Sequence, residues 1–422
     1  MLTSKENLQK TLNHEQPEKV VIDFGSTAVT GIHVLAIKNL RSILGLKDIP
    51  VKVTEPYQML GAVDEELGEK LGIDILGLGG RYDMFGIDNA YCEWKPYTTP
   101  WGQKVMVPES FNISTDIKGD TYIYPGGDRS VPACAKMPAS GYFFDAVIRQ
   151  KPIDDNNLNP EDNLEEFKIW DKDDINYWRA SLERFSDKVM GLIVTPGGTA
   201  IGDIALVPGL QLKDPRGIRD VSEWYMSTLA RTDYLHEIFS KQTDIAIENL
   251  KKLRDLDENL IDVLFICGTD FGTQVSTFIA EEQYRELYMP YYLKINNWIH
   301  ENTSWKTFKH SCGAIEPFIP VFIESGFDIL NPVQLNATGM DPVMLKKNYG
   351  SDIVFWGGGI DTQKVLSFSD PETVRKEVLR NCEIFHKDGG FVFNTVHNIQ
   401  ANVPVRNLDA MIRALKEFNG QI

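Results

Sequence analysis

The chain has 422 residues, 42% of them hydrophobic, and a formal net charge of −17. Its length is compatible with one large α/β barrel. The acidic balance and the lack of Lys/Arg runs argue against a nucleic-acid partner, and no stretch reaches the roughly 18 to 20 apolar residues of a membrane span. The polar first 20 residues contain no apolar signal-peptide core, so we expect a cytoplasmic protein.

The first quarter of the chain predicts alternating helices and strands. Residues 3–16 have a helical pattern, and the short apolar run from Val20 to Phe24 ends in a turn signal, as buried parallel strands do. Helical patterns follow at 31–44 and 59–71, and a second strand is predicted from Ile73 to Leu78.

Residues 90–170 do not continue this alternation. Eight prolines and several Gly-containing turns interrupt the segment, which predicts a hairpin-containing excursion and a long loop. The acidic tract 154–166 is typical of solvated surface. The alternative is a lid, because long loops often cover the mouths of barrels.

The alternation of strands and helices resumes at Asp171. A helix is predicted for 171–185, a strand for 190–195 and a helical region for 221–256. Together with the first two strands and five later ones, the chain has eight candidate strands. Eight such units predict one (β/α)8 TIM-barrel domain over residues 1–422 with an insertion at about 90–170. No GxGxxG follows the first strand, which argues against a dinucleotide-binding fold. The last five strands are predicted at 263–266, 307–310, 328–330, 353–356 and 391–394.

Side chains able to bind metals or transfer protons follow most of these strands. The carboxyl ends of barrel strands form the active-site face, so we expect these side chains to meet there. The candidates, taken in chain order, are Asp23, Asp74 (at the start of its strand), Asp270, Gln274, His310, Cys312, Gln334, Asp361, Asn394 and His397.

His310 and Cys312 are two residues apart at the end of a strand, where both side chains can turn toward one ion. Imidazole and thiolate together suit zinc. The third ligand is His397 or Cys382; His397 is preferred because it follows the last strand, whereas Cys382 lies in a predicted outer helix. The structural alternative is a buried core histidine beside a buried thiol. Asp270 and Gln274 likewise have a structural alternative, as a helix cap and its first turn.

Several segments resemble the uroporphyrinogen decarboxylase superfamily, which includes cobalamin-dependent methyltransferases. The resemblance is strongest in Cys267–Gln274, Lys309–Gly313 and Phe393–Pro404, and Gly357–Asp361 also fits. True uroporphyrinogen decarboxylases have an Arg-rich segment after the first strand that binds substrate carboxylates, but this chain has no arginine before Arg41. The methyltransferase branch, with its His-x-Cys pair, is therefore the closer match.

The resemblance implies a zinc-dependent methyltransferase that moves a methyl group between a corrinoid protein and a small acceptor such as a thiol. It implies zinc held by His310, Cys312 and His397, with methylcobalamin carried by the partner. That branch usually has a Cys where this chain has His397. Asp270 and Asn394 are the expected catalytic residues, and the expected substrate-binding residues are Asp23, Asp74, Gln274, Gln334 and Asp361.

Two alternatives remain. One is a metal-independent decarboxylase of a small carboxylic acid, in which Asp23 or Asp74 acts as the acid and His397 assists. The other is a barrel that binds a corrinoid or tetrapyrrole without turning it over. A homodimer is also expected.

Overall fold

Eight short parallel strands form one sheet. They are β1 (Val21–Ile22), β2 (Ile75–Leu78), β3 (Gly191–Val194), β4 (Val263–Cys267), β5 (Lys306–His310), β6 (Ile329–Asn331), β7 (Val354–Trp356) and β8 (Phe391–Phe393). Their order in the sheet is β1-β8-β7-β6-β5-β4-β3-β2. This computed structural model describes residues 2–90 and 92–422. The ring closes between β1 and β2, where the Asp74 N–H donates to the Ile22 carbonyl oxygen at 2.8 Å. The predicted (β/α)8 barrel is thus confirmed.

The inside of the barrel is filled by large apolar side chains, one or two from each strand. Alternate residues along a strand point inward, and β-branched and aromatic side chains occupy these positions. Helix α1 (Ser4–Leu12) closes the amino end of the barrel with Leu8 and Leu12. The other end is therefore the open one. The filling residues are Val21, Ile75, Ile193, Val263, Phe308, Ile329, Val354, Trp356 and Val392.

Helices surround the sheet and carry the chain from one strand to the next. None of the helices in the described residues is long and apolar enough to cross a membrane. After α1 they are α2 (Val34–Ile43), α3 (Glu65–Leu71), α4 (Lys172–Glu183), α5 (Val221–Ala230), α6 (Thr232–Arg254), α7 (Glu281–Leu287), α8 (Met289–Asn302), α9 (Ile319–Glu324), α10 (Pro342–Tyr349), α11 (Val365–Phe368), α12 (Pro371–Phe385) and α13 (Val405–Phe418); short 3-10 turns occur at Pro125–Gly127, Pro160–Asn163 and Glu316–Phe318.

The excursion contains the predicted hairpin, but it forms two small sheets where a long loop was also expected, and it begins earlier than residue 90. The pair Val51–Glu55 and Leu60–Gly61 joins the hairpin Trp94–Thr98 and Lys104–Pro108. The helix predicted over 59–71 is wrong in its first half, because Leu60 pairs as a strand and α3 starts only after its N-cap Asp64. The second sheet contains Ile113–Thr115, Thr121–Ile123, Ala135–Met137 and Asp145–Ala146.

The excursion shares its hydrophobic core with the barrel. Val105 and Ile123 of the two small sheets belong to the same continuous buried cluster as the barrel helices. The buried His33, the N-cap of α2, contacts Trp101 and Tyr142 of the excursion and bonds to the Tyr142 carbonyl oxygen at 3.0 Å. These contacts hold the excursion against α2.

Candidate metal centre

Three side chains converge at the open, carboxyl end of the barrel. His310 is the last residue of β5, Cys312 follows it, and His397 lies four residues past β8. Their ligand atoms all lie within 4.8 Å of one another. The Cys312 Sγ is 3.3 Å from the His310 Nε2. Cys382 is not part of this group, because it is fully buried in the core on α12.

Asn331 at the end of β6 fixes the orientation of His310. Its Nδ2 donates to the Trp356 carbonyl oxygen at 2.7 Å, so its Oδ1 faces the His310 Nδ1 at 2.6 Å. An amide oxygen only accepts hydrogen bonds, so Nδ1 must carry the proton. The lone pair of Nε2 is then left to face Cys312 and His397, as in metal-ligating histidines with a hydrogen-bonded outer partner.

Asp270 lies directly beside the three converging side chains. Its Oδ1 accepts a hydrogen bond from the Cys312 N–H at 2.6 Å and is 3.8 Å from the His310 Nε2. Gly272 and Gly313 allow this close approach, because Gly313 has φ +96° and a Cβ there would lie 2.5 Å from the Gly272 carbonyl carbon. The glycine of the Lys309–Gly313 motif is therefore required by backbone packing.

Burial sets the protonation of the converging side chains. It lowers the pKa of His397 to about 4, with help from the neighbouring His310, and it also lowers the pKa of His310. Burial and the Asp270 carboxylate raise the pKa of the Cys312 thiol well above its ordinary value. Neutral imidazoles are the form that binds metals, whereas the Cys312 thiolate needs a nearby cation to form.

Lys309 connects the two loops on which these residues lie. It points outward from β5, opposite to His310, and its Nζ donates to the carbonyl oxygens of Thr269 at 2.5 Å and His310 at 2.8 Å. The ammonium lies 4.9 Å from the centroid of the Phe271 ring. This buried cation therefore holds the Asp270 loop against the end of β5.

Gln274, Gln334 and Asp361 lie along the rim and bond mainly to other protein groups. The Gln334 Oε1 accepts from the Gly313 N–H at 2.8 Å, and its Nε2 donates to the Gln274 Oε1 at 3.0 Å. Asn336 donates to the Asp361 Oδ1 at 3.1 Å, which also accepts from the Gln363 N–H. These residues fix the loops around the site.

Asp23 and Asn394 lie at the ends of β1 and β8, on the open side of the barrel. The fully buried Asp23 carboxylate accepts hydrogen bonds from the Ser26 hydroxyl at 2.7 Å and the Trp356 Nε1 at 2.9 Å, and burial raises its pKa. Asn394 donates to the Asp23 carbonyl oxygen at 2.7 Å. Its buried Oδ1 has no hydrogen-bond partner in the described part of the chain.

Asp74 is not near the three converging side chains, which corrects its expected place in the substrate site. It precedes β2 at the amino end of the barrel, the end that α1 closes. Its carboxylate binds Lys19 at 2.6 Å, the Ser4 hydroxyl at 2.5 Å and the Ile22 N–H at 3.0 Å. Asp262, just before β4, and Asp328, just before β6, accept backbone N–H groups of the preceding strand in the same way. Asp74 is thus a barrel-closing residue.

Three further residues near the site were not assigned a role from the sequence. Asn331 is a polar residue at an inward position of an apolar strand, and this pattern could have identified it. Asp203, in the loop after β3, accepts the Gly268 N–H at 3.1 Å. Tyr225 lies on α5, and no local pattern in the sequence distinguishes it from a helix-surface residue.

A cavity of about 270 Å³ opens on the same face, beyond the ends of β2 and β3. Its walls include Arg81, Trp170 and Gly197. Glu166, Phe167 and Lys168, near the end of the predicted insertion, also line it. The excursion thus contributes to the mouth of the barrel.

Comparison with known proteins gives three results. The family model for uroporphyrinogen decarboxylase (URO-D) matches residues 146–418. A curated uroporphyrinogen decarboxylase from Ruthia magnifica subsp. Calyptogena magnifica is 24% identical over 195 residues, or 44% of this chain, which spans about half (50%) of that relative's length. A solved methyltransferase from Methanosarcina mazei superposes with a TM-score of 0.50 at 13% identity, covering 99% of both chains. At that identity the likeness shows a common fold.

Proposed function

This chain belongs to the uroporphyrinogen decarboxylase (URO-D) family, and from that premise we propose that it is a zinc-dependent methyltransferase. The methyl group moves between the cobalamin of a corrinoid protein and a small acceptor, for which a thiol fits best. The observation that carries the proposal is the convergence of His310, Cys312 and His397 at the open end of the barrel.

The donor set fits zinc in its chemistry, and one donor pair fits it in spacing. Two imidazoles and one thiolate are common zinc ligands, and three protein ligands are the number found in catalytic sites, which keep one position for substrate. Two donors at the corners of a zinc tetrahedron, one sulfur and one nitrogen, are about 3.5 Å apart. The Cys312 Sγ and His310 Nε2 are separated by 3.3 Å.

The protein side chains position the donors and set the charge around them. Asn331 holds the His310 ring, and Asp270 holds the backbone of Cys312. A zinc ion bound there would lower the pKa of an acceptor thiol, so that the thiolate is available near neutral pH. In a transfer of this kind the acceptor sulfur would take the methyl carbon from the corrinoid partner, which would keep the electron pair of the broken bond. The thiol proton leaves to solvent.

The structure favours this function over decarboxylation of a porphyrinogen or a small acid. Arg41, the first arginine of the chain, is 3% exposed on α2 and is paired with Asp64 and Glu66, so it is not available to bind carboxylates. The Asp23 carboxylate is fully buried and bonded to Ser26 and Trp356. It is therefore poorly placed to protonate a substrate.

An apolar rim beside the site supports a protein partner. Met226 and Leu229 on α5, and Val275 and Phe278 in the loop after β4, are 52%, 78%, 70% and 46% exposed. The Tyr225 and Phe278 rings lie 5.4 Å apart, so α5 and this loop adjoin. Exposed apolar residues grouped beside a site are typical of interaction surfaces. We propose that the corrinoid protein docks here; the homodimer stays a prediction.

Metal analysis by mass spectrometry tests the proposal. Wild-type protein purified without a His tag should contain about one zinc per chain. A His310→Ala, Cys312→Ala double variant should lose it. A His300→Ala, Cys92→Ala double variant, which removes the same two residue types away from the site, should keep it. The zinc-loaded wild type should then convert methylcobalamin and a thiol to a thioether.

A folded wild-type protein that takes up no zinc when zinc is offered would contradict this function. The decarboxylase alternative would then be the one to test.

A further inference from the structure

The mouth side of the proposed metal centre is acidic. Asp270 is 31% exposed, and only its Oδ1 accepts a hydrogen bond within residues 2–90 and 92–422. The Oδ2 is therefore free to bind a ligand. Asp270 thus places a negative charge where an acceptor bound at this centre would extend.

A second carboxylate lies beside the Asp270 loop. Asp203 is 8% exposed, and its two oxygens accept the Ala205 N–H at 3.0 Å and the Gly268 N–H at 3.1 Å. Gly268 is two residues before Asp270, so the two acidic side chains adjoin. The burial of Asp203, together with the charge of Asp270, raises the pKa of Asp203. A cation between the two carboxylates would relieve their repulsion.

Tyr225 lies beside the Asp270 loop, since its ring is 5.4 Å from that of Phe278, whose N–H donates to the Phe271 carbonyl oxygen. Its hydroxyl oxygen is buried and has no hydrogen-bond partner among the residues that the structure describes. Its burial, with the charges of Asp270 and Asp203, raises the pKa of Tyr225 to about 12. A buried hydroxyl with no protein partner is costly unless a ligand or water satisfies it.

The cation that acts on these groups does not face the mouth. Lys309 lowers the pKa of Asp203, Cys312 and His310, but it lies on the outer side of β5. Its Nζ is engaged by two carbonyl oxygens and covered by aromatic rings. A substrate carboxylate would therefore meet Asp270 without a compensating positive side chain.

We propose that the acceptor is an aminothiol, whose protonated amine is held by Asp270, Asp203 and the Tyr225 hydroxyl oxygen while its sulfur lies at the three converging ligands. This inference rests on the proposed function and specifies its substrate class. Thiols that carry a carboxylate are disfavoured by the same charges.

Thiol binding to the cobalt(II)-substituted protein tests this inference without turnover. Titration with 2-aminoethanethiol, 2-mercaptoethanol and 3-mercaptopropionate is followed by the thiolate-to-cobalt charge-transfer absorption. We expect the aminothiol to bind about tenfold tighter than the neutral thiol, and the acid to bind most weakly, as two charges a few ångströms apart imply.

Variants separate the effect of the carboxylate from the different acidities of the three thiols. Asp270→Asn should cut the preference for the aminothiol about tenfold, and Tyr225→Phe should cut it severalfold, with little change for 2-mercaptoethanol. Glu258→Gln removes the same charge from an exposed loop at the amino end of the barrel and should match wild type.

The possible results separate a failure of the aminothiol proposal from a failure of the proposed function. If cobalt binds and the acid binds as tightly as the aminothiol, or if Asp270→Asn leaves the preference unchanged, the aminothiol is wrong and the metal-dependent function stands. If the protein binds no cobalt, or no thiol changes its spectrum, the proposed function itself fails and the aminothiol falls with it.

Discussion

Replacing Asn331 by leucine tests how the protein positions its proposed metal ligands. Leucine has the same branching at Cγ as asparagine but is larger, and it removes the 2.6 Å contact between the Asn331 Oδ1 and the His310 Nδ1. His310 is 4% exposed, so water cannot easily replace this partner. A buried donor left without a partner costs about 1–3 kcal/mol. Because His310 can recover that energy only by leaving its ligating orientation, we expect zinc affinity to fall roughly 10–100-fold.

Competition against a chromophoric zinc chelator measures this change, with thermal unfolding of the metal-free protein as the test of folding. Asn296→Leu is the matched control, since Asn296 is a fully buried asparagine on α8 and is not among the converging residues. It should lower stability without changing zinc affinity. A folded Asn331→Leu variant that binds zinc as tightly as wild type would refute the proposed role of Asn331.

Three further predictions follow from burial and hydrogen bonding. The Cys382→Ser variant should keep its zinc, as measured by mass spectrometry, because Cys382 is buried on α12 and takes no part in the metal centre. Loss of zinc would mean that Cys382 is a ligand. Asp74→Ala should lower the free energy of unfolding by about 2–4 kcal/mol with unchanged zinc content, because it removes the carboxylate that binds Lys19 and the Ile22 N–H where the sheet closes. A change in thiol binding without a change in stability would contradict this. Burial lowers the pKa of His33 from 6.5 to about 4. The contribution of neutral His33 to the free energy of unfolding is therefore full above pH 6.5 and is lost as the pH falls toward 4. In urea unfolding, the free energy of unfolding of the wild type should fall about 3 kcal/mol more than that of His33→Asn over this pH range. Equal losses in the two proteins would contradict this role of His33.

Much of the fold follows from local sequence patterns. Each of the eight apolar runs forms a strand whose inward side chains help to fill the barrel, and each ends in polar residues. Periodicity and turn signals therefore suffice to place the strands. The strand at Leu60–Gly61 was missed because its pairing with Val51–Glu55 is a tertiary contact, and a two-residue strand has no period of its own. The early start of the excursion has the same cause.

The site divides in a similar way. His310, Cys312 and His397 could be predicted because strand ends meet on one face of a barrel. The place of Asp74 at the amino end was predictable on the same ground, because Asp74 stands at the start of its strand. The sequence does not show which neighbours its carboxylate binds. The role of Tyr225 depends on how α5 packs against the loop after β4, which no local pattern records.

X-ray absorption at the zinc edge, recorded on protein loaded with zinc in buffer free of thiols, identifies the ligands of the proposed centre. We expect one sulfur at about 2.3 Å and two imidazole nitrogens at about 2.0–2.1 Å, with the sulfur lost in Cys312→Ala. A zinc shell without sulfur, or one that Cys312→Ala leaves unchanged, would contradict the proposed centre.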